Sequence, residues 1–234
     1  MSMRISALGL LALGAALMSA GCATTGKIPL VREFDERMEG SPEPAGRRAP
    51  AWDPMLKAYY FDGHATCLKL SNSIPARIGK NDFSITFEFM PGTQPDATAY
   101  ILEHHRDFPW TGLFIDIENN KTLRFRVKDL PHCDVIRDIS GILGDETFHH
   151  VALTRQGRTL AMFLDGELLA REEKPEHVDL NIDYAGKVLT VGSHCEGPAA
   201  LYAGYLRNMQ FHIGRCMTAE DIALEAAKAR KQRR

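Results

Sequence analysis

The sequence predicts an all-β protein whose short antiparallel strands form a sandwich or a barrel. Apolar and polar residues alternate in several runs between residues 57 and 213, as they do in half-buried strands. Asp165-Gly166 separates two of these runs, and an Asp-Gly pair is typical of a two-residue hairpin because both turn positions need a positive φ. No helical pattern lies between the runs to connect parallel strands, so we expect an antiparallel arrangement.

Composition is that of an ordinary globular protein of 234 residues, with 44% apolar and 25% charged residues. Lys and Arg number 28 against 30 Asp and Glu, so no basic excess points to a nucleic-acid partner. The residues Arg124, Arg126 and Lys128 form a local basic stripe on alternate positions, which we interpret as a solvated face of the sheet.

The clearest strand is formed by residues 83–89, in which four apolar side chains share one face and three polar side chains share the other. Five further runs repeat this two-residue period. They are residues 113–117, 123–127, 149–153, 162–164 and 209–213.

The register of one hairpin follows from its hydrophobic pattern. A three-residue loop at residues 119–121 opposes Ile117 to Leu123 and keeps the apolar side chains on one face, whereas a two-residue loop would split them. The longer loop also sets Asp116 opposite Arg124, which we predict to be an exposed pair contributing about 0.2–1 kcal/mol.

Residues 218–234 predict a C-terminal helix and basic tail. Thr218 is suited to the N-cap, Glu220 and Asp221 fall in the first turn, and the basic residues gather at the C-terminal end, where the helix dipole favours cations. We interpret the tail as a solvated helix end.

The N-terminus predicts export. We predict that residues 1–21 are a lipoprotein signal peptide. Their uncharged run of 14 residues covers about 21 Å as a helix and is too short to span a bilayer. Cys22 follows Ala-Gly in a sequence that resembles a lipobox, although Ser19 stands where Leu is preferred. We therefore predict an acylated Cys22. An Asp directly after the Cys would resemble the inner-membrane retention signal, so Ala23 favours the outer membrane; the periplasmic or surface side is left open. The alternative is ordinary signal-peptide cleavage near Ala20, with Cys22 incidental.

Residues 22–52 are rich in Pro, Gly, Ala and charge, and we predict a flexible tether followed by one domain over residues 53–217.

An exported domain can keep disulfide bonds. The candidates are Cys67, Cys133, Cys195 and Cys216, whose pairing the sequence does not choose, and buried free thiols are the alternative.

Seven segments occur in the order found in a known family. They resemble the opening strand, the F-T-I-E-x-W-V strand, the W-H-H-V-A-V-T strand, the Asp-Gly hairpin and the closing strands of the laminin-G-like, concanavalin A-like lectin and glucanase jelly rolls. The segments are Tyr60-Phe61-Asp62-Gly63, Phe83-Ser84-Ile85-Thr86-Phe87-Glu88-Phe89-Met90, Phe148-His149-His150-Val151-Ala152-Leu153-Thr154, Phe163-Leu164-Asp165-Gly166, Leu189-Thr190-Val191-Gly192, Tyr202-Ala203-Gly204-Tyr205-Leu206 and Phe211-His212-Ile213.

The resemblance covers about residues 57–227 and implies a two-sheet antiparallel jelly-roll sandwich whose first and last strands pair. It also implies a protein that binds sugars or other proteins. We therefore expect a lipid-anchored envelope module whose partner is a glycan or an envelope protein. The alternatives are a glycoside hydrolase of the same fold and a purely structural envelope lipoprotein.

The hydrolase alternative depends on Asp116 and Glu118. These carboxylates stand two residues apart on one predicted strand, so they face the same way with Cα atoms about 6.5–7 Å apart. The related hydrolases use a Glu-x-Asp-x-Glu strand, and Phe114 occupies the first Glu position here. We therefore predict no catalytic residue.

A loop between two predicted strands is our candidate ligand site. It combines aromatic rings, a cation, a carboxylate and a rigid proline, which together suit a sugar. The alternative is that its aromatic rings fold inwards and close the edge of the sandwich. The candidate residues are His105, Arg106, Asp107, Phe108 and Trp110.

No cofactor is predicted, although relatives often hold calcium with loop oxygens. The weak calcium candidates are Asp62, Asp165 and Glu196. Adjacent histidines on a strand point to opposite faces and cannot share an ion, so we interpret His149 as a core histidine.

Overall fold

A computed structural model describes residues 30–34, 48–70, 78–106, 111–128, 132–173, 181–182, 189–194 and 200–232. Within these ranges the chain forms fourteen strands and one helix. They are β1 (Leu30–Phe34), β2 (Ala51–Asp53), β3 (Ala58–Asp62), β4 (Leu68–Leu70), β5 (Phe83–Pro91), β6 (Thr98–Arg106), β7 (Thr111–Glu118), β8 (Thr122–Lys128), β9 (His132–Asp138), β10 (His149–Gln156), β11 (Thr159–Leu164), β12 (Glu167–Glu173), β13 (Leu189–Val191), β14 (Ala203–Ile213) and α1 (Ala219–Gln232).

The strands form two antiparallel sheets. The eight-stranded sheet has the order β12-β11-β10-β5-β14-β3-β2, with β1 also paired to β14, and the six-stranded sheet has the order β4-β13-β6-β7-β8-β9. The opening strand β3 pairs with the last strand β14, as the family resemblance implies. The predicted all-β jelly-roll sandwich with a C-terminal helix is confirmed.

The core lies between the two sheets and is built from the predicted alternating side chains. Phe83, Ile85, Phe87 and Phe89 on β5 are fully buried, and the Phe83 ring meets the Phe125 ring of the six-stranded sheet with centroids 6.3 Å apart. Burying a side chain of this size contributes about 1.5–3 kcal/mol, so this contact surface accounts for the packing of the two sheets.

The outer face of β5 is also buried. Glu88 accepts from Arg207 and Asn208 of β14, and Ser84 accepts from the Met217 amide in the chain after β14. A second apolar cluster joins Ala152, Ala161 and Phe163 on the sheet to Met217 and Ile222. This cluster anchors α1 to the eight-stranded sheet.

The predicted helix is confirmed. The Asp221 amide donates to Thr218 Oγ1 at 3.1 Å, and the Thr218 amide donates back to Asp221 Oδ2 at 3.1 Å. This reciprocal cap satisfies amides that the first turn would leave without partners. Among the described residues, no helix has the length and apolar character needed to cross a membrane.

Both predicted turns have the expected geometry. Glu118 pairs with Thr122 around the loop 119–121, in which Asn119 and Asn120 have φ values of 54° and 50°. Leu164 pairs with Glu167 around the Asp-Gly turn. The loop therefore keeps the apolar residues of β7 and β8 on the core side, as predicted.

Two segments at or within the predicted tether belong to the eight-stranded sheet. Leu30–Phe34 pairs with β14, and Ala51–Asp53 pairs with β3. These short strands give backbone groups of β14 and β3 hydrogen-bonding partners that no local sequence period would reveal. Cys22 lies outside the described residues, so its acylation stays a prediction.

Of the two alternatives for the cysteines, Cys67 and Cys216 follow the thiol alternative and not the disulfide one. Cys67 is buried and Cys216 half-buried, and both are thiols. Burial raises the pKa of the Cys216 thiol, which keeps it protonated. Cys195 and the side chain of Cys133 lie outside the described part of the chain, and their pairing stays a prediction.

Candidate binding face

The outer face of the six-stranded sheet collects charged and aromatic side chains, and we call it the polar face. Strand register aligns them in two rows across β6, β7, β8 and β9, with neighbouring strands about 4.8 Å apart. The first row is Tyr100, Asp116, Arg124 and Ile136, and the second is Glu103, Phe114, Arg126 and Asp134. Glu118 lies on the same face, two residues beyond Asp116.

A bulge in β6 places both Tyr100 and Glu103 on the polar face. Tyr100 pairs with Asp116 and Glu103 pairs with Phe114, although Tyr100 and Glu103 stand three residues apart. The extra residue between Tyr100 and Leu102 reverses the alternation at that point. For this reason the sequence did not predict Tyr100 or Glu103 as site residues.

Two arginines hold the carboxylates of the polar face. Arg124 donates from Nε to Asp116 Oδ1 at 2.7 Å and from Nη1 to Glu118 Oε1 at 2.6 Å. Arg126 donates from Nη2 to Asp116 Oδ2 at 2.7 Å. Each oxygen of Asp116 therefore receives one guanidinium N–H.

The predicted pairing of Asp116 with Arg124 is confirmed, but its predicted exposure is wrong. Asp116 is fully buried, and the side chains of Arg124 and Arg126 are only 14% and 11% exposed. The predicted solvated basic stripe is therefore also wrong for these two arginines, because carboxylates and rings of neighbouring strands surround them. The side chain of Lys128 lies outside the described residues.

Asp116 serves this network as an acceptor. Burial raises the pKa of the Asp116 carboxyl, and Arg126 and Arg124 oppose that rise. Burial lowers the pKa of Arg126, but the charge of Asp116, the hydrogen bond to it and the nearby Tyr100 and Asp134 together outweigh burial and leave that pKa raised. With both oxygens accepting from guanidinium groups that do not lose their protons, Asp116 is poorly placed to give a proton to a substrate.

Three rings lie beside the charged network. The Tyr100 ring centroid is 6.2 Å from that of Phe114 and 5.5 Å from that of His194. The Arg126 guanidinium stacks 4.9 Å over the Phe114 ring. Phe114 is buried, while Tyr100 is half-buried and presents part of its ring next to fixed polar groups.

The predicted ligand loop joins the two strands that carry Tyr100 and Asp116. Backbone pairing places His105 opposite Gly112 and Arg106 opposite Thr111. The remaining loop candidates lie outside the described residues, as do the side chains of these two, so the loop stays a prediction. Those candidates are Asp107, Phe108 and Trp110.

Two calcium candidates make hydrogen bonds within the fold. Asp62 Oδ1 accepts from the amides of His64 and Ala65, both at 2.8 Å, and Arg48 donates to Oδ2 at 2.9 Å. Burial raises the pKa of Asp62, but these amide donors outweigh it and hold that pKa well below its ordinary value. Asp62 thus shapes the turn that follows β3.

Asp165 is engaged by the backbone amide of His150 at 3.1 Å and by the ring of His149. Glu196 lies outside the described residues. Within the described ranges, no three His, Cys, Asp or Glu residues are grouped so that they could hold a metal ion. Calcium binding therefore gains no structural support from Asp62 or Asp165.

His149 joins two loops to the edge of the core. Its Nδ1 lies 2.7 Å from Asp165 Oδ2 and its Nε2 lies 2.9 Å from Asp145 Oδ2, while its ring packs beside Phe89. Both nitrogens must carry a proton to donate to two carboxylates, so this geometry favours the imidazolium form. The interpretation of His149 as a buried, satisfied histidine is confirmed.

We predict that His149 stabilises the fold more in acid than in base. Burial lowers the pKa of His149, but the hydrogen bonds that the ring donates to Asp165 and Asp145, with the charges of these carboxylates, outweigh burial and raise that pKa above 6.5. A raised folded-state pKa gives stability that is complete below 6.5 and is lost as the pH rises through the folded-state value. His149→Gln should therefore cost about 1.5–3 kcal/mol in urea unfolding at pH 5.5, and less at pH 9. The exposed His64→Gln is the control, and an equal cost of His149→Gln at both pH values would contradict the imidazolium assignment.

A second aromatic surface lies on the eight-stranded sheet and we call it the tyrosine row. It consists of Tyr60, Tyr205 and Phe148, with ring centroids 5.0 Å and 6.4 Å apart. Tyr60 is 42% exposed. Arg207 stacks 4.0 Å over Phe148 and donates to Glu88. The tyrosine row therefore combines rings with an arginine and a carboxylate, as the polar face does, and serves as the comparison surface in the binding tests.

Comparison with solved structures finds the same fold in several toxins. The binding domain of Paraclostridial Mosquitocidal Protein 1 matches with a TM-score of 0.62 and 12% identity, over 79% of this chain and 46% of that one. A botulinum neurotoxin type C structure, from work on cell entry that depends on two ganglioside molecules, matches with a TM-score of 0.60 and 12% identity, over 78% and 45%. The binding domain of botulinum neurotoxin DC in complex with SialylT matches with a TM-score of 0.58 and 13% identity, over 78% and 45%. The chain spans a little under half of these solved chains, and at such identities the likeness concerns the fold.

No curated protein matches this sequence. A family model described as the concanavalin A-like lectin/glucanases superfamily matches residues 62–223, which is more than half of the chain. The ordered motifs, the two antiparallel sheets and this match agree. The chain therefore belongs to the concanavalin A-like lectin/glucanases superfamily.

Proposed function

We propose that the protein is a non-catalytic glycan-binding module that is displayed from an acylated Cys22 on the outer membrane. The observation that carries the binding role is the half-buried Tyr100 ring, part of which is exposed beside the fixed Asp116, Arg124 and Glu118 network. Sugar sites combine a ring, on which the apolar face of a sugar stacks, with a few oriented polar groups. The botulinum neurotoxin type C structure of the same fold, whose description names ganglioside molecules, supports a glycan before a protein.

The arrangement of the carboxylates favours binding over hydrolysis. A glycoside hydrolase needs one carboxyl group to donate a proton and a second to act as base or nucleophile. Arginine side chains hold both Asp116 and Glu118, and Phe114 fills the third position of the related motif. A protein ligand is the second candidate, because one toxin domain of this fold is described in complex with rat synaptotagmin II.

The test is a binding panel with a matched pair of variants. Cellohexaose, maltohexaose, chitohexaose and peptidoglycan fragments are assayed for retention by the purified chain and for release of new reducing ends. Retention without release supports the proposal, whereas release favours the hydrolase. If the chain neither retains nor cleaves any of these glycans, the glycan role is overturned and a protein-binding or structural role is favoured.

Tyr100→Ala should lower the affinity for the retained glycan at least tenfold, because the stacking surface is removed; a tenfold change corresponds to about 1.4 kcal/mol. Tyr60→Ala, on the tyrosine row of the other sheet, should leave the affinity unchanged. Thermal unfolding of both variants establishes that they are folded at the assay temperature. Loss of binding in Tyr60→Ala with retention in Tyr100→Ala would move the site to the tyrosine row.

A further inference from the structure

We infer that the polar face selects uncharged glycans over glycans that carry carboxylates, and that Glu118 sets this selectivity. The inference rests on the proposed function and names its ligand class. It follows from how the two arginines of the face are occupied and from the charge that surrounds them.

Arginine recognises a carboxylate best through two parallel N–H bonds from one edge of the guanidinium. The two edges of Arg124 are Nε with Nη2 and Nη1 with Nη2. Asp116 already occupies Nε and Glu118 already occupies Nη1. Each edge of Arg124 is therefore half used by the protein's own carboxylates.

Arg126 is closed to a carboxylate as well. Its Nη2 belongs to both edges and is bonded to Asp116 at 2.7 Å. Its Nε is buried from solvent, and its guanidinium lies flat over the Phe114 ring. A ligand carboxylate would thus have to displace Asp116, which is itself fully buried.

The charge of the face adds to this exclusion. Four carboxyl side chains and two guanidinium groups stand among its described residues, and Glu118 is the outermost of the ion-paired carboxylates, at 35% exposed. An anionic sugar approaching Tyr100 meets this acidic surround. Sugar hydroxyls, in contrast, can donate to the oxygens of Glu118 without a charge penalty.

The experiment compares two forms of one ligand. The hexasaccharide retained in the panel (cellohexaose, for example) is titrated beside the same hexasaccharide oxidised at C6 to uronates, which adds carboxylates and leaves the backbone linkages intact. The wild-type chain should bind the neutral form at least tenfold more tightly. Glu118→Gln, which removes the charge but keeps an oxygen that can accept from Arg124 Nη1, should reduce this preference at least fivefold.

The control is Glu173→Gln on β12. Glu173 also lies beside an arginine, Arg171, at 3.7 Å, and its replacement changes the net charge of the chain by the same amount on the other sheet. The Glu173→Gln variant should prefer the neutral over the oxidised hexasaccharide as strongly as the wild-type chain does. An equal shift in both variants would show an effect of overall charge and overturn the role of Glu118.

Different results of these titrations overturn the inference and the proposed function. Tighter binding of the oxidised form by the wild-type chain overturns the selectivity while glycan binding stands. An unchanged preference in Glu118→Gln overturns the role of Glu118. Absence of binding to any neutral or oxidised glycan overturns the proposed function itself.

Discussion

Asp116→Ala is expected to lower the free energy of unfolding by about 3–5 kcal/mol. Asp116 is fully buried and accepts one N–H from Arg124 and one from Arg126, each at 2.7 Å. Removing it leaves two largely buried guanidinium groups that must find water or another acceptor. The measurement is urea unfolding at neutral pH, followed by circular dichroism.

The matched control is an exposed ion pair on the other sheet. Arg171 and Glu173 lie 3.7 Å apart with both side chains about 60% exposed, so Glu173→Ala should cost less than about 1 kcal/mol. The contrast isolates the effect of burial from that of removing a carboxylate. A cost below 1 kcal/mol for Asp116→Ala would mean that the network is far more solvated than its geometry indicates.

Gly192→Ala should destabilise the fold by about 2–5 kcal/mol. Gly192 has a φ of 82°, which costs an alanine roughly 1–2 kcal/mol. An added Cβ would also overlap the ring of Phe61 on β3, a fully buried side chain that packs against Tyr202. Relieving that overlap displaces the core, at a further cost of about 1–3 kcal/mol.

Gly144→Ala separates these two contributions. Gly144 has a φ of 74°, but a Cβ there meets no atom within 4 Å. Its replacement should therefore cost only the backbone strain, about 1–2 kcal/mol in the same urea measurement. Equal costs at Gly144 and Gly192 would show that Phe61 yields freely and that the close approach does not stabilise the fold.

The central strands and turns were predictable because each is determined by neighbouring residues. The alternation in β5 and the need to keep Ile117 and Leu123 on one face determine the strand and the register locally. β1 was not predictable, since Leu30–Phe34 gains its hydrogen bonds from β14, about 180 residues later in the chain, within a segment of tether-like composition.

The polar face was predictable only in part. Asp116 and Arg124 could be paired from the hairpin register. The bulge that adds Tyr100 and Glu103 to the same face has no signal in the alternation. The burial of Asp116 also depends on Arg126 and on a ring contributed by β6, so the same charges that predicted a solvated surface produced a largely buried network.

The most direct test of the binding face is a nuclear magnetic resonance titration of the purified chain with the neutral hexasaccharide retained in the panel. Bound sugar should shift the resonances of the Tyr100 and Glu118 amides and of the Arg124 Nε–H, while those of the Tyr60 and Tyr205 amides stay in place. Shifts confined to the tyrosine row, with the polar face unchanged at saturation, would contradict this prediction.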